Sequence, residues 1–444
     1  MLQKRIALIA GTYRPKHCGV AHYTAQLRTA LLNQGIESVV LTTQSALSSV
    51  NSATEDLTVD STLDPAVKPA VDPNVNPTVL GVVQDWGLKG VWQLAIAIRN
   101  LQASSPVPID LIHIQHAAGT YGFQRAIFLL PLLLKGMGCR LPIVTTLHEY
   151  GWWDWQPAGV PTKMLRSLKT WGQQWGWWDE EDGFLITLSD AILTTNRQAE
   201  QCVIQRLPQI KPRLYSVPIG ANVGATAISR AQARQAVLEA CGWSEEVAIA
   251  AFFGFLHPVK GIETLLLAFQ QVLAADPKAR LLLVGGVESL ALPDAQATAY
   301  WNQLQDQIAA LNLQSAVQMT GYLKAEQVSM YLTAADAGVL PFNHGVTLKS
   351  GSLLTLLSHR LPVIATRIDS TDLEWQISRI TAEGDAWVHW ISPRQVDELA
   401  EALLHLLTHA DDRDRLSHSG LAFSRQFSWD AIATTHAKIY HQVS

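Results

Sequence analysis

The chain has 444 residues, too many for one ordinary hydrophobic core, so two domains of about 200 residues are expected. Its composition, 48% hydrophobic and 16% charged, is that of a globular protein, and a net charge of -5 with no domain-wide basic run excludes a general nucleic-acid binder. Four scattered cysteines (Cys18, Cys139, Cys202, Cys241) without C-x-x-C spacing exclude a disulfide framework and a cysteine zinc site, and fit a reducing compartment.

The apolar run at residues 6–10 ends in Gly11-Thr12-Tyr13-Arg14, which reads as a first buried strand rather than a signal segment. A loop at 11–19, a helix at 21–32 and a strand at 38–41 complete a βαβ opening. Residues 47–78 break the pattern. Their Val and Pro repeats, as in Asp72-Pro73-Asn74-Val75-Asn76-Pro77, cannot pack a core and read as an extended, flexible insertion. Strands are expected at 111–115, 142–147, 184–188, 191–195 and 214–217, with Pro218-Ile219-Gly220-Ala221-Asn222 as the exit to a second domain. The apolar cluster at 126–134 is too short to span a bilayer and contains Pro131. A cytoplasmic protein is expected, with peripheral contact with a membrane left open.

The second half repeats the alternation. Strands are expected at 247–253, 281–286, 317–320, 337–340 and 363–366, and helices at 261–273, 325–335, 353–358 and 395–409. Short apolar strands between amphipathic helices predict parallel sheets covered on both faces. The fold class is therefore α/β, with two doubly wound Rossmann-like domains facing a cleft. Residues 1–218 form the first, 219–426 the second, and 427–444 a final helix that crosses back, capped by Ser428. Ligands are expected at the C-terminal ends of strands, in the cleft.

Two segments point to an anion. In Phe342-Asn343-His344-Gly345-Val346-Thr347-Leu348-Lys349-Ser350-Gly351-Ser352, a Lys-Ser-Gly-Ser run follows a strand and opens a helix. Free N–H groups, flanking hydroxyls and the positive end of the helix dipole all favour an anion there. The dipole disfavours a cation such as Lys349, and a bound phosphate explains its placement. Gly254-Phe255-Leu256-His257-Pro258-Val259-Lys260-Gly261 also lies between a strand and a helix. Taken singly, each lysine reads equally as solvated surface; as a pair in matching settings they favour a polyanion such as a diphosphate. A third, weaker segment is Arg14-Pro15-Lys16-His17-Cys18-Gly19, where Gly19 permits close backbone approach.

His113 alternates with apolar neighbours and reads as a buried, satisfied histidine, whereas His116 and His148 fall at strand ends within reach of a ligand. No H-x-x-x-H or H-E-x-x-H spacing suggests a metal. Asp412-Arg413-Asp414 reads as a solvated helix face. Trp152, Trp153, Trp155, Trp171, Trp175, Trp177 and Trp178 crowd one tract; a core or lid role stands beside sugar stacking or membrane contact.

These residues together resemble the family-4 retaining glycosyltransferases of GT-B fold. The resemblance runs through Cys18-Gly19-Val20-Ala21-His22-Tyr23-Thr24, Ile114-Gln115-His116, Thr146-Leu147-His148, Val217-Pro218-Ile219-Gly220 and Gly254-Phe255-Leu256 with Lys260-Gly261. It continues in Leu283-Val284-Gly285, Thr320-Gly321-Tyr322, Ala334-Ala335-Asp336, residues 361–366 and Phe427-Ser428-Trp429. It implies a nucleotide-sugar donor bound mainly by the second domain, a glycan, lipid or small-molecule acceptor bound mainly by the first, retention of configuration, and no cofactor or essential metal. By resemblance, Lys260 holds the donor diphosphate, Gly19 approaches it, and His148 contacts the donor sugar, so His148 and Lys260 are the expected catalytic residues. Asn343, His344, Thr347, Lys349, Ser350, Gly351, Ser352 and Thr355 stand in the donor-binding segment, and His116, Trp152 and Trp153 on the acceptor side.

The sequence also departs from the family. Its paired glutamates fall on Thr347 and Thr355, Phe255 replaces the usual arginine, and Ala117 replaces a common acidic residue. Two readings follow: an active subgroup in which residues 349–352 carry more of the phosphate binding, or a non-catalytic nucleotide- or glycan-binding partner subunit. A sugar-nucleotide epimerase on the same fold is a third class, without its usual acidic residues here.

Overall fold

The computed structural model describes residues 4–13, 18–45, 79–103, 108–153, 161–287, 294–367 and 387–444. The expected insertion at 47–78 and residues 14–17 of the first loop lie outside the described residues. The chain divides into two compact units: unit 1 is Met1–Pro218 with Trp429–Ser444, and unit 2 is Ile219–Ser428.

Unit 1 runs β1 (Lys4–Ala10), α1 (Gly19–Asn33), β2 (Ile36–Thr43), β3 (Val79–Val83), α2 (Leu88–Ala103), β4 (Leu111–His116), α3 (Leu130–Gly136), β5 (Ile143–Leu147), α4 (Thr162–Gln174), α5 (Phe184–Leu188), β6 (Ala191–Thr194), α6 (Arg197–Arg206) and β7 (Leu214–Ser216). The strands pair in parallel in the order β3-β2-β1-β4-β5-β6-β7. Chain order reverses between β1 and β4, whose register sets Leu8 beside His113 and Ala10 beside Gln115. Sheet residues such as Ile6, Leu8, Ile112 and Ile192 are fully buried, as continuous apolar runs between two helical layers require.

One expected strand is a helix. Residues 184–188 form α5, because the turn before it is already nucleated. The Asp179 carboxylate accepts from the N–H groups of Glu181 (2.9 Å) and Asp182 (2.7 Å), and Gly183 adopts a φ of 57°. A five-residue apolar run has no period with which to announce the difference.

Unit 2 runs α7 (Arg230–Cys241), β8 (Ala248–Phe253), α8 (Ile262–Ala275), β9 (Ala279–Val284), α9 (Asp294–Ala310), β10 (Val317–Met319), α10 (Ala325–Ala334), β11 (Ala337–Leu340), α11 (Gly351–Ser358), β12 (Val363–Thr366), β13 (His389–Ile391), α12 (Val396–Thr408) and α13 (Ala410–Ser424). The parallel order is β10-β9-β8-β11-β12-β13, reversing between β8 and β11. Helix α8 packs on α12, and α7 on α10. The final helix, α14 (Trp429–Val443), packs against α1 in unit 1. Asp412 lies on α13, held by His405 (2.8 Å) and Arg415 (2.9 Å), as befits a solvated face.

Candidate functional site

In unit 2 the loops leaving β8 and β11, the two strands at the reversal, are tied together. Asn343 donates from its backbone N–H to Val259 O (3.0 Å) and from Nδ2 to Pro258 O (2.8 Å). Gly261 has a φ of +68°, and a Cβ there would lie 2.0 Å from Pro341 O. Only glycine allows this crossing of two backbones. A Cβ on Gly254 would come 2.8 Å from Ser352 Oγ, and one on Gly285 would come 2.1 Å from Gly254 O. The ends of β8 and β9 and the start of α11 therefore converge.

The expected residues divide within this site. Lys260 ends a single 3₁₀ turn, Pro258–Lys260, just ahead of α8. It is half-buried, with its ammonium 3.7 Å from the centroid of the Phe342 ring. No carboxylate pairs with it among the described residues, and burial pushes its pKa down to about 8. His257 caps the same turn, its Nδ1 accepting from Val259 N–H (3.2 Å). Lys349 is exposed and precedes the helix rather than opening it. Ser350 is the N-cap, its Oγ accepting from Leu353 N–H (3.3 Å). The N–H groups of Gly351 and Ser352 find no acceptor among the described residues, as expected of a first helical turn. Thr347 turns the chain into the cap, accepting from Lys349 N–H at Oγ1 (3.3 Å) and from Ser350 N–H at its carbonyl (2.9 Å). His344 is exposed at the tip.

Thr355 departs from its expected place. It is fully buried, and its Oγ1 accepts from the N–H groups of Asn222 (3.1 Å) and Val223 (3.3 Å). Its hydroxyl holds the segment entering unit 2 and presents no open face to a ligand. Asn222, which no motif marked, packs its side chain against Gly351 so closely that a Cβ there would collide at 2.4 Å.

In unit 1 the histidines separate by strand alternation. His113 is fully buried, bonded to Tyr440 Oη (2.6 Å) and Thr146 Oγ1 (2.8 Å). Gln115, on the same face, joins His113 Nε2 (3.1 Å) and accepts from His148 Nε2 (2.8 Å). The His148 ring meets Tyr23 edge-on at 4.7 Å, and Tyr23 Oη lies 3.4 Å from His436 Nε2. Burial pushes His148 down to about 3, helped by His116 and His436, and holds His436 at about 4. His148 is thus a neutral imidazole whose Nε2–H is fixed on Gln115, leaving Nδ1 as acceptor.

His116 points the other way. Instead of lying within reach of a ligand it is 1% exposed, with Nε2 on Asp182 Oδ1 (3.0 Å). Asp182 belongs to an acidic turn with Asp179 and Glu181, whose carboxyls are both pushed up by burial and by Asp182. Tyr150 donates to Asp179 (2.6 Å) and Arg206 to Glu181 (2.7 Å). Trp152 is exposed; Trp153 packs on Phe128 (5.8 Å) and Phe123 (5.9 Å). Gly19 opens α1 after Cys18, and a Cβ there would meet open space. Among the described residues, no three His, Cys, Asp or Glu side chains gather as a metal group, and the four cysteines are free. Sequence reading missed Tyr23, His436 and Tyr440, because each acquires its role only when α14 packs against α1.

The family Glycosyl transferases group 1 matches residues 248–409, inside unit 2. Mannosylfructose-phosphate synthase of Agrobacterium fabrum is 24% identical over 300 residues, covering 66% of this chain and 62% of its own length. The chain therefore spans somewhat under two thirds of that relative. A glycosyltransferase from Rickettsia africae superposes with a TM-score of 0.65 at 13% identity, covering 100% of this chain and 99% of its own. Anabaena HepE in complex with UDP and glucose superposes with a TM-score of 0.63 at 14% identity, covering 99% and 100%. Residues 248–409 of unit 2 thus match the group 1 glycosyltransferases, and the chain shares the GT-B fold of solved glycosyltransferases along its whole length.

Proposed function

We propose that the protein is a glycosyltransferase that moves a sugar from a nucleotide-sugar donor to a glycan, lipid or small-molecule acceptor, with retention and without a metal. The observation that carries this is Lys260: a half-buried cation with no carboxylate partner among the described residues, on the 254–261 loop, whose Gly254 end meets Ser352 at the start of α11. A buried charge without a counter-ion is costly, and a diphosphate supplies one. In this reading Lys260, Lys349, Ser352 and the first turn of α11 hold the donor diphosphate, with Asn343, His344 and Thr347 bracing or bordering the loop. Fixed donors aimed at the leaving diphosphate meet the main electrostatic demand of the transfer. Unit 1 takes the acceptor, with Gly19 permitting close approach and neutral His148 contacting the donor sugar. The bound UDP of Anabaena HepE supports a nucleoside diphosphate as the donor's leaving group.

The glutamate replacements favour a second reading, a non-catalytic nucleotide-binding subunit on the same fold. The purified chain, incubated with a panel of UDP-, ADP- and GDP-sugars, decides between them. Transfer or slow donor hydrolysis that Lys260→Ala abolishes supports the transferase. A melting-temperature rise with a nucleotide but no turnover supports the subunit. No shift with any donor, in the wild type and in Lys260→Ala alike, ends both.

A further inference from the structure

Exposed large apolar side chains concentrate in unit 1 between residues 88 and 177. Helix α4 is amphipathic in the wrong sense for a water-facing helix. Leu165, Lys169 and Gly172 face inward. The outer face carries Met164, Leu168 and Trp171, extended by Trp175 beyond the helix, at 65%, 49%, 45% and 66% exposure. Their spacing of four, three and four residues is one continuous stripe. Trp177, 52% exposed, meets Trp171 edge-on at 4.8 Å and extends the patch. Helix α2 presents a second stripe at i, i+4 and i+8: Leu88, Trp92 and Ile96.

Charge and shape narrow the occupant. Residues 162–178 contain no acid, while Lys163 and Arg166 are exposed on α4. The nearest acids are occupied: Asp179, Glu181 and Asp182 are buried, and Glu180 pairs with Arg206 (3.4 Å). A face that is apolar, rich in tryptophan and cationic, on a chain of net charge -5, matches an anionic lipid surface. A second copy would bring the same cations against themselves. Both stripes also border one cavity of about 590 Å³, lined by Leu88 and Leu168 with Phe123, Phe128, Trp178 and Phe184. A largely apolar cavity that shares its rim with the exposed stripe, with Arg125, Lys169 and Asp179 also in its wall, suits an aliphatic chain drawn from a bilayer.

We propose that unit 1 docks on anionic bilayers through the outer faces of α4, its Trp175–Trp177 extension and α2, and that the cavity beneath receives a lipid chain. No helix of the described residues is long and apolar enough to cross a membrane, so the contact is interfacial. This does not depend on the chain being an active transferase.

The test is sedimentation of the full chain with phosphatidylcholine vesicles, with and without phosphatidylglycerol. Binding to the anionic vesicles is expected, weakened by salt, with tryptophan fluorescence quenched by brominated lipid. Leu168→Ser with Trp171→Ser, and separately Lys163→Glu with Arg166→Glu, are each expected to lower the partition coefficient by about tenfold or more. Because these side chains are exposed, the melting temperature is expected to stay unchanged; Trp175→Ser, beyond the helix, repeats the test should a double variant melt early. Equal partition onto neutral and anionic vesicles, or variants that bind as the wild type does, overturns the proposal. So does an unbound wild type whose self-association, seen by sedimentation velocity, is lost in the apolar variant.

Discussion

The Lys260 ammonium sits 3.7 Å from the centroid of the Phe342 ring, a cation against an aromatic face where a structural lysine would have a carboxylate. The contact binds together the two loops at the strand reversal of unit 2. The ring offsets only part of the desolvation, about 1 kcal/mol, so the ammonium stays poised below its usual pKa, at about 8.

Replacing Lys260 by Met keeps the apolar stem and removes the buried charge. The free variant is expected to be more stable at neutral pH, by on the order of 1 kcal/mol, and to lose at least about tenfold in nucleoside-diphosphate affinity. Urea unfolding and calorimetric titration with UDP read the two effects. A variant that loses stability and keeps its affinity would place Lys260 among ordinary packing residues. The pH dependence has a definite sign. Above about pH 8 the free lysine is neutral and must take up a proton to meet a diphosphate, so wild-type affinity falls as pH rises through that value. In Lys260→Met the fall disappears.

Gly261 and Gly285 hold the loop crossing. Gly261→Ala places a methyl 2.0 Å from Pro341 O at a φ of +68°, and Gly285→Ala places one 2.1 Å from Gly254 O at a φ of +144°. Each is expected to cost about 1–3 kcal/mol in urea unfolding and to weaken nucleotide binding through displacement of the 254–261 loop. Gly19→Ala, at a site open to solvent, is expected to leave stability within about 0.5 kcal/mol, which separates a steric glycine from one kept for ligand approach.

Much of this architecture can be read from sequence because buried parallel strands are short, uniformly apolar runs with helices between them, as at residues 337–340 and 363–366. Among the strands, three departures have physical reasons. Residues 184–188 are apolar without a period, and their helix is set by the Asp179 turn. Strand β3 adjoins the Val- and Pro-rich stretch and carries Gly81 in its middle. Strand β13 is a three-residue edge. Among site residues, loop glycines and helix-start lysines announce themselves locally. The burial of Thr355 and His116 does not, since it depends on Asn222 and Asp182, 133 and 66 residues away.

Thr355→Val tests that burial. The isosteric change removes the acceptor for two backbone N–H groups in a site closed to water. A loss of about 1–3 kcal/mol is expected, with donor affinity changed only through the Asn222–Gly351 contact. Thr355→Glu, which restores the family's residue type, is expected to destabilise further and not to raise activity, because a carboxylate has neither space nor water at a fully buried position. A gain in turnover from Thr355→Glu would show that the pocket opens to the donor after all.

The imidazoles of unit 1 make acid stability the sharpest readout of its core. His148 is held at about 3 and His436 at about 4, both mainly by burial, against an ordinary value near 6.5 in the unfolded chain. Below pH 6.5 the unfolded state therefore takes up protons that the native state refuses, and stability falls as pH drops, by up to about 1.4 kcal/mol per pH unit for each histidine. Above that pH the term is flat. The raised carboxyls of Asp179 and Glu181 act in the opposite sense, so the histidine share is read as the difference in urea midpoint between wild type and variant at each pH. His148→Asn removes one of the titrating groups and is expected to reduce the slope by one histidine's share, while disturbing the Gln115 contact that fixes its Nε2–H. If the slope survives unchanged in His148→Asn, the native imidazole titrates as it does in the unfolded chain and burial does not hold it neutral.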